Sequence, residues 1–389
     1  MKRSFVCLVA VLILASVLLS SCSPLKSVYS NEGSQFALGY GESEIDLPKN
    51  SKAPLYIAGY QNGEEIESVL DLPKAKAVWI DTSGKGILLI GIDCVGVSSG
   101  TVARIRDELA VFCRKNGCVS VNVYATHTHA GVDTMGLWGP VAINGKNSDY
   151  IDNLVVAAVS AAKEAYCDRS FGELYYGSAV TYGLLEDSRE PFEYDSSVHQ
   201  IRFESASSDK NGVRLISFAA HAESLRGDNR ALSADFPAPL SENIKSATGD
   251  DVMYLPSAVG GLIMTKVQTK PFDALLNMNE TAKLLSHYVL SISNEEKITP
   301  SLAISRVKLE IPLDNTYFFF AKFLGILDNG VKRKWGGYVI ESELSVLCLG
   351  DITLALIPGE IFPELVSGVG LKEGDAEALE KTADRKSVV

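Results

Sequence analysis

The chain has 389 residues, 46% of them hydrophobic, and 48 acidic against 36 basic side chains give it a formal charge of −12. That length supports a large single domain or one and a half, and an acidic chain with no clustered basic residues excludes nucleic acid as a partner. Seven cysteines without a compact spacing exclude a disulfide framework and read mostly as buried thiols, with Cys113 and Cys118 placed to pair only if the compartment is oxidising.

Lys2 and Arg3 precede an apolar run from Phe5 to Leu19, too short and too N-terminal for an ordinary membrane span, so it reads as an export signal. Leu19-Ser20-Ser21-Cys22 has the shape of a lipoprotein cleavage box. The expectation is a signal peptide over 1–21, lipidation of Cys22, a tether over 22–35, and an exported protein anchored by lipid to the membrane of a bacterial cell envelope.

Short apolar strands are predicted at Phe36-Ala-Leu-Gly-Tyr-Gly41, Glu44-Ile-Asp-Leu-Pro48 and Leu55-Tyr-Ile-Ala-Gly-Tyr60, punctuated by glycine and proline. Thr82-Ser-Gly-Lys85 has the turn chemistry of a hairpin between Ala77–Asp81 and Gly86–Asp93. The second of these strands is apolar throughout, as in a sheet covered on both faces. Thr101–Lys115 reads as a helix with Val102, Ile105, Leu109 and Phe112 on one side, and the strand Val119–Tyr124 follows. Strand, helix and strand make a crossover unit that puts Asp93 and His127 at one carboxyl edge, where α/β sheets keep their sites. The predicted fold class is therefore α/β, with mixed β-sheets packed centrally, helices flanking them and a metal site at strand ends.

His127 and His129, two apart at a strand end, would project from one face. Neutral imidazoles so placed suit zinc, although the same pattern also occurs as polar surface. Just before the helix, Gly96-Val-Ser98-Ser-Gly100 matches a nucleophile elbow and opens the alternative of a serine hydrolase using Ser98; a loop with a helix N-cap has the same composition. The loop Val132–Gly139 would line a pocket, and Asp149–Ala165 reads as a helix. Strands follow at Glu173–Tyr176 and Val198–Phe203, the latter carrying a structural His199. A second apolar strand from Val213 stops at His221, and Leu232–Leu240 leads into another helix. A third, Ile352–Ile357, breaks at Pro358-Gly359 before Glu360. His127, His221 and Glu360 together form a His, His, Glu set, a composition used by catalytic zinc.

The set Ala125-Thr-His-Thr-His-Ala-Gly131, Phe218-Ala-Ala-His221, Leu232-Ser-Ala-Asp235-Phe-Pro237 and Ile357-Pro-Gly-Glu360 resembles the N-terminal catalytic domain of the neutral, non-lysosomal ceramidases. Gly39-Tyr-Gly41, Glu44–Pro48 and Ala58-Gly-Tyr60 fit the same pattern, and the resemblance runs over roughly residues 36 to 370. It implies that Zn2+ is held by His127, His221 and Glu360. It also implies that His129 beside the metal contacts the substrate carbonyl or shuttles a proton, and that a ceramide-like lipid is cleaved at its N-acyl amide to a long-chain base and a fatty acid. Asp93 or Asp235 would orient an imidazole through its other nitrogen. The family takes a further ligand, a tyrosine, from beyond the Pro-Gly-Glu motif, and no tyrosine lies between Glu360 and Val389. Leu255–Leu262 stands where relatives carry a glycine-aspartate turn. The catalytic domain is accordingly expected over 36–383, cut short, with 384–389 read as a sequencing-adapter artefact. The reading from another class is a surface lipoprotein that binds lipid or glycan without turning it over.

Overall fold

The computed structural model describes residues 26–49, 53–82, 84–190, 192–313, 320, 322–323, 331–334, 337–368 and 387–388. The expected signal peptide, Cys22 and most of 384–389 lie outside the described residues. Along the chain run β1 (Lys26–Glu32), β2 (Phe36–Glu44), β3 (Ser68–Val69), β4 (Lys74–Asp81), β5 (Gly86–Ile92), α1 (Ser99–Asn116), β6 (Cys118–Ala125), α2 (Ser148–Asp168), β7 (Ser170–Val180), β8 (Leu185–Asp187) and β9 (Ser197–Ser205). There follow β10 (Val213–Phe218), β11 (Ala231–Leu232), α3 (Pro237–Thr248), β12 (Asp251–Pro256), β13 (Ile263–Thr265), α4 (Ala274–Leu290), β14 (Glu296–Lys297) and β15 (Ser301–Pro312). The described part closes with β16 (Val331–Lys334), β17 (Gly337–Leu349), β18 (Ile352–Leu356), α5 (Pro363–Ser367) and β19 (Ser387–Val388).

The main sheet has the order β12-β10-β9-β7-β2-β4-β5-β6, with β14 added on β7. Its pairs are antiparallel except at the two edges, where β5 with β6 and β10 with β12 run parallel. Parallel neighbours need a crossover, and α1 and α3 supply them. The sheet curls so that its edges meet: the Tyr124 hydroxyl of β6 donates to the Tyr254 carbonyl of β12 at 2.7 Å, and Lys76 Nζ of β4 reaches the Val252 carbonyl at 3.2 Å.

Strand alternation sends each strand into two cores. Ala75, Ala77 and Trp79 of β4, with Leu88, Ile90 and Ile92 of β5, pack on Ile105 and Leu109 of α1 and on Leu154, Ala158, Ala161 and Ala165 of α2. Val78, Ile80, Ile87 and Leu89 face the other way, onto Leu302 and Ile304 of β15, Leu347 and Leu349 of β17, and Leu354 of β18. These last strands belong to a second sheet of order β1-β15-β17-β18-β19, with β16 on β17. A central sheet thus lies between helices and a second sheet, which is why β5 is apolar throughout. Each such buried aliphatic side chain contributes roughly 1.5–3 kcal/mol. The alanines of α2 let it lie directly on β2, where a Cβ on Gly39 would stand 2.2 Å from the Ala165 carbonyl oxygen.

Three expectations are corrected. Lys26–Glu32, read as tether, is β1 and pairs antiparallel with β15. Its exposed, mostly polar side chains conceal a strand held by backbone hydrogen bonds to a neighbour. Leu55–Tyr60 is no strand: Tyr56 and Ile57 make only isolated bridges, to Glu65 and Val132. Ile45–Pro48 likewise falls beyond the end of β2.

Candidate metal centre

Strand β6 ends at Ala125, paired with Ile92 of β5. Thr126 is still tied to this edge, donating from N to the Ile92 carbonyl at 2.9 Å and from its hydroxyl to Asp93 Oδ1 at 3.1 Å. His127 then takes φ 63°, a left-handed conformation uncommon for a residue with a side chain, typically worth about 1–3 kcal/mol of strain. This corrects the sequence argument. The two histidines meet through a reversal after the strand rather than by sharing one face of it. In the reversed position His127 Nδ1 donates to the Val95 carbonyl at 2.7 Å.

His221 lies three residues beyond β10. Its backbone N and its Nδ1 both donate to the Ile263 carbonyl of β13, at 3.1 and 2.8 Å. A carbonyl can only accept, so both His127 and His221 carry the proton on Nδ1 and present the lone pair of Nε2, the tautomer of a metal ligand. His129 completes the cluster: its Nε2 is 3.3 Å from His127 Nε2, and one ligand atom from each of the three rings lies within 4.8 Å of the others. Glu360, in the turn after β18, brings Oε1 to 3.2 Å from His127 Nε2 and Oε2 to 3.5 Å from His221 Nε2.

The electrostatics follow from this crowding. The close approach of His127 and His221 holds the Glu360 carboxyl well below the ordinary range, against a smaller opposing effect of burial. Burial pushes His129 down to about 3, reinforced by His127 and His221. His221 is raised, because its contacts with Glu360 and the Ile263 carbonyl outweigh burial. Three imidazole nitrogens around a carboxylate, two with tautomers fixed by main-chain carbonyls, are a donor set that fits a divalent metal of intermediate softness such as zinc.

Four expected site residues, His127, His129, His221 and Glu360, are therefore brought together. Asp93 and Asp235 are not orienters of imidazoles. Asp93 spends its oxygens on the Lys74 amide and the Thr126 hydroxyl. Asp235, fully buried, accepts from the amides of Ser224, Leu225 and Phe236, fastening the loop after His221 to the start of α3. Both brace the backbone that carries the histidines. Ser98 is the N-cap of α1, with φ −68° and its hydroxyl accepting from the Thr101 amide at 3.3 Å. That is ordinary extended backbone, without the strain that exposes a nucleophile. His199 bonds Asp195 and Tyr176 away from the cluster.

Sequence reasoning missed Glu223. It is buried, accepts from the Tyr60 hydroxyl at 2.6 Å, and brings the same oxygen, Oε2, to 3.5 Å from His129 Nδ1. Its only signal in sequence was an acidic residue two places after a strand-end histidine.

No protein-family model matches the chain, and no curated protein matches it. Solved structures do. A crystal structure of neutral ceramidase from Pseudomonas aeruginosa superposes with a TM-score of 0.71 at 15% identity, covering 91% of this chain and 66% of that one. A structure described as ceramidase complexed with C2 superposes at 0.68, also with 15% identity, covering 91% of this chain and 68% of the other. The chain thus spans about two thirds of the length of the solved proteins it matches. Mixed sheets, flanking helices and a histidine cluster where strand ends meet give this chain the neutral ceramidase fold.

Proposed function

We propose that the chain is a zinc-dependent amidohydrolase that cleaves the N-acyl amide of ceramide-like lipids, giving a long-chain base and a fatty acid. One observation carries this reading: three imidazoles and Glu360 converge from three separate chain segments, with Nδ1 of both His127 and His221 already committed to carbonyls. Such an arrangement is costly to build as mere polar surface, since buried polar groups must be partnered. The ceramidase named in the solved structures of this fold supports the choice of substrate.

In this reading His127, His221 and Glu360 hold the metal. Zinc, when bound, supplies Lewis acidity toward an amide carbonyl and toward water. His129, neutral and close to the other two rings, is left to move a proton between attacking water and the departing amine. The walls of the site hold these groups in place before substrate arrives, which is where much of the rate advantage of such sites originates. Export and anchoring through a lipid on Cys22 would place the site against membrane lipid and belong to the same proposal.

The test is metal content and hydrolysis of a fluorescent N-acylsphingosine by the full chain, before and after chelation. The expected result is close to one zinc per chain, with activity lost on chelation and restored by zinc. Bound zinc without turnover of any N-acyl amide would leave a lipid-binding protein instead.

A further inference from the structure

His127 and His221 have main-chain carbonyls at Nδ1, whereas the nearest partner of His129 Nδ1 is a buried carboxylate. The difference is chemical. A carbonyl fixes a tautomer, but an anion also stabilises the positive charge an imidazole acquires while carrying a proton. At 3.5 Å the contact with Glu223 is longer than a formed hydrogen bond, and Nδ1 has no other partner among the described residues.

The surroundings hold this pair in register. Tyr60 donates to Glu223 Oε2 at 2.6 Å and sets its ring edge-on to His129, with centroids 5.3 Å apart. Gly59, at φ 120°, lets Tyr60 come so close, since a Cβ there would lie 2.5 Å from His129 Cβ. The Glu223 backbone is pinned on both sides, its N donating to the His221 carbonyl at 2.9 Å and its carbonyl accepting from Arg226 at 3.0 Å.

We propose that Glu223 is the positioning residue of His129, keeping a proton on Nδ1 so that Nε2 is free to take a proton from attacking water and pass it to the amine nitrogen as the C–N bond breaks. Glu223 is not itself protonated in this cycle; it stabilises the imidazolium while the proton is in transit. The inference rests on the amidohydrolase reading, in which the metal would take up the His127 Nε2 lone pair that lies 3.3 Å from His129 Nε2.

The test compares Glu223→Gln with wild type in three measurements. Imidazole 15N shifts of the zinc-loaded chain report the His129 tautomer, a practical assignment with only 5 histidines. Zinc stoichiometry reports the ligands. Turnover of an N-acyl amide and of an activated acyl ester, whose leaving group needs no proton, reports proton delivery. The expected outcome is a proton moved to Nε2 in E223Q, unchanged zinc and KM, and a kcat on the amide lower by about 100-fold with a much smaller loss on the ester. Equal losses on both substrates, loss of zinc in step with activity, or an unaltered tautomer would overturn the proposal. If E223Q fails to fold, Tyr60→Phe frees the carboxylate without touching His129. It should lower the amide-to-ester ratio with zinc retained, and an unchanged ratio would overturn the proposal equally. Wild type without zinc or amidase activity would sink the amidohydrolase reading and this proposal with it, whereas active, zinc-loaded wild type beside an E223Q with unaltered tautomer and amide-to-ester ratio would sink this proposal alone.

Discussion

Thr128 and Ala222 form a single parallel β-bridge, across which His129 N donates to the Ala222 carbonyl at 2.9 Å. One backbone bond therefore joins the segment after β6 to the segment after β10. It sets the separation of His127 and His129 from His221, and the cluster is as rigid as the two strands behind it.

Replacing His127 or His221 by alanine should remove the metal and with it the activity. Glu360→Gln keeps the shape but loses the charge, and should weaken metal affinity by about 10–100-fold. Metal content after dialysis at graded chelator concentrations measures both. A stoichiometric metal in His127→Ala would mean that His127 is no ligand.

Ser98→Ala should leave amide hydrolysis intact and lower stability by about 1 kcal/mol, because it removes an N-cap together with the hydroxyl's contacts to Thr101 and Lys146. Serine-directed reagents should be without effect on the wild type. Loss of turnover in Ser98→Ala with unchanged folding would restore the elbow.

Gly59→Ala combines an unfavourable φ of 120° with a Cβ 2.5 Å from that of His129. The expected cost is about 1–3 kcal/mol in stability. Activity should fall by more than stability explains, as Tyr60 and His129 are pushed apart. Denaturant titration and kcat on the same sample separate the two effects.

Arg202 grips Glu295 through Nε at 2.9 Å and Nη2 at 2.7 Å, with Gln200 adding a bond at 2.9 Å. Burial alone would raise the Glu295 carboxyl, but these partners outweigh it and lower it from its ordinary 4.5. A carboxyl lowered on folding contributes stability above its unfolded value, and the contribution is lost as pH falls through the folded one. Glu295→Gln should thus be less stable than wild type by about 1 kcal/mol at pH 7. The difference should shrink steadily below pH 4.5. A gap independent of pH in urea titrations would point to packing rather than charge.

Much of the architecture was legible because it rests on local pattern. Alternation in β4 and β5, the apolar face of α1 and the turn between those two strands are properties of neighbouring residues, and the structure repeats them nearly residue for residue. The histidines were legible for a related reason, as polar residues that interrupt apolar runs and need a purpose. What escaped were elements held from outside. β1 has no apolar stripe and exists only because β15 lies beside it. Conversely, Leu55–Tyr60 has the composition of a strand but finds only isolated bridges.

The sequence by itself determined the class of fold, the strands that end in histidine and the residue types able to hold a metal, since these depend on spacing and side-chain chemistry. Only the tertiary structure decided how the rings face one another. The Val95 and Ile263 carbonyls that set two tautomers are main-chain atoms, invisible in residue identity. Glu223 and Tyr60 are separated by more than 160 positions in sequence, |i−j| being 163, and meet only because the curled sheet closes its edges on one another. Asp93 and Asp235, which chemistry alone suggested for the imidazoles, were drawn instead to the unpaired amides nearest them, because a buried N–H left without a partner costs more than an imidazole left without a carboxylate.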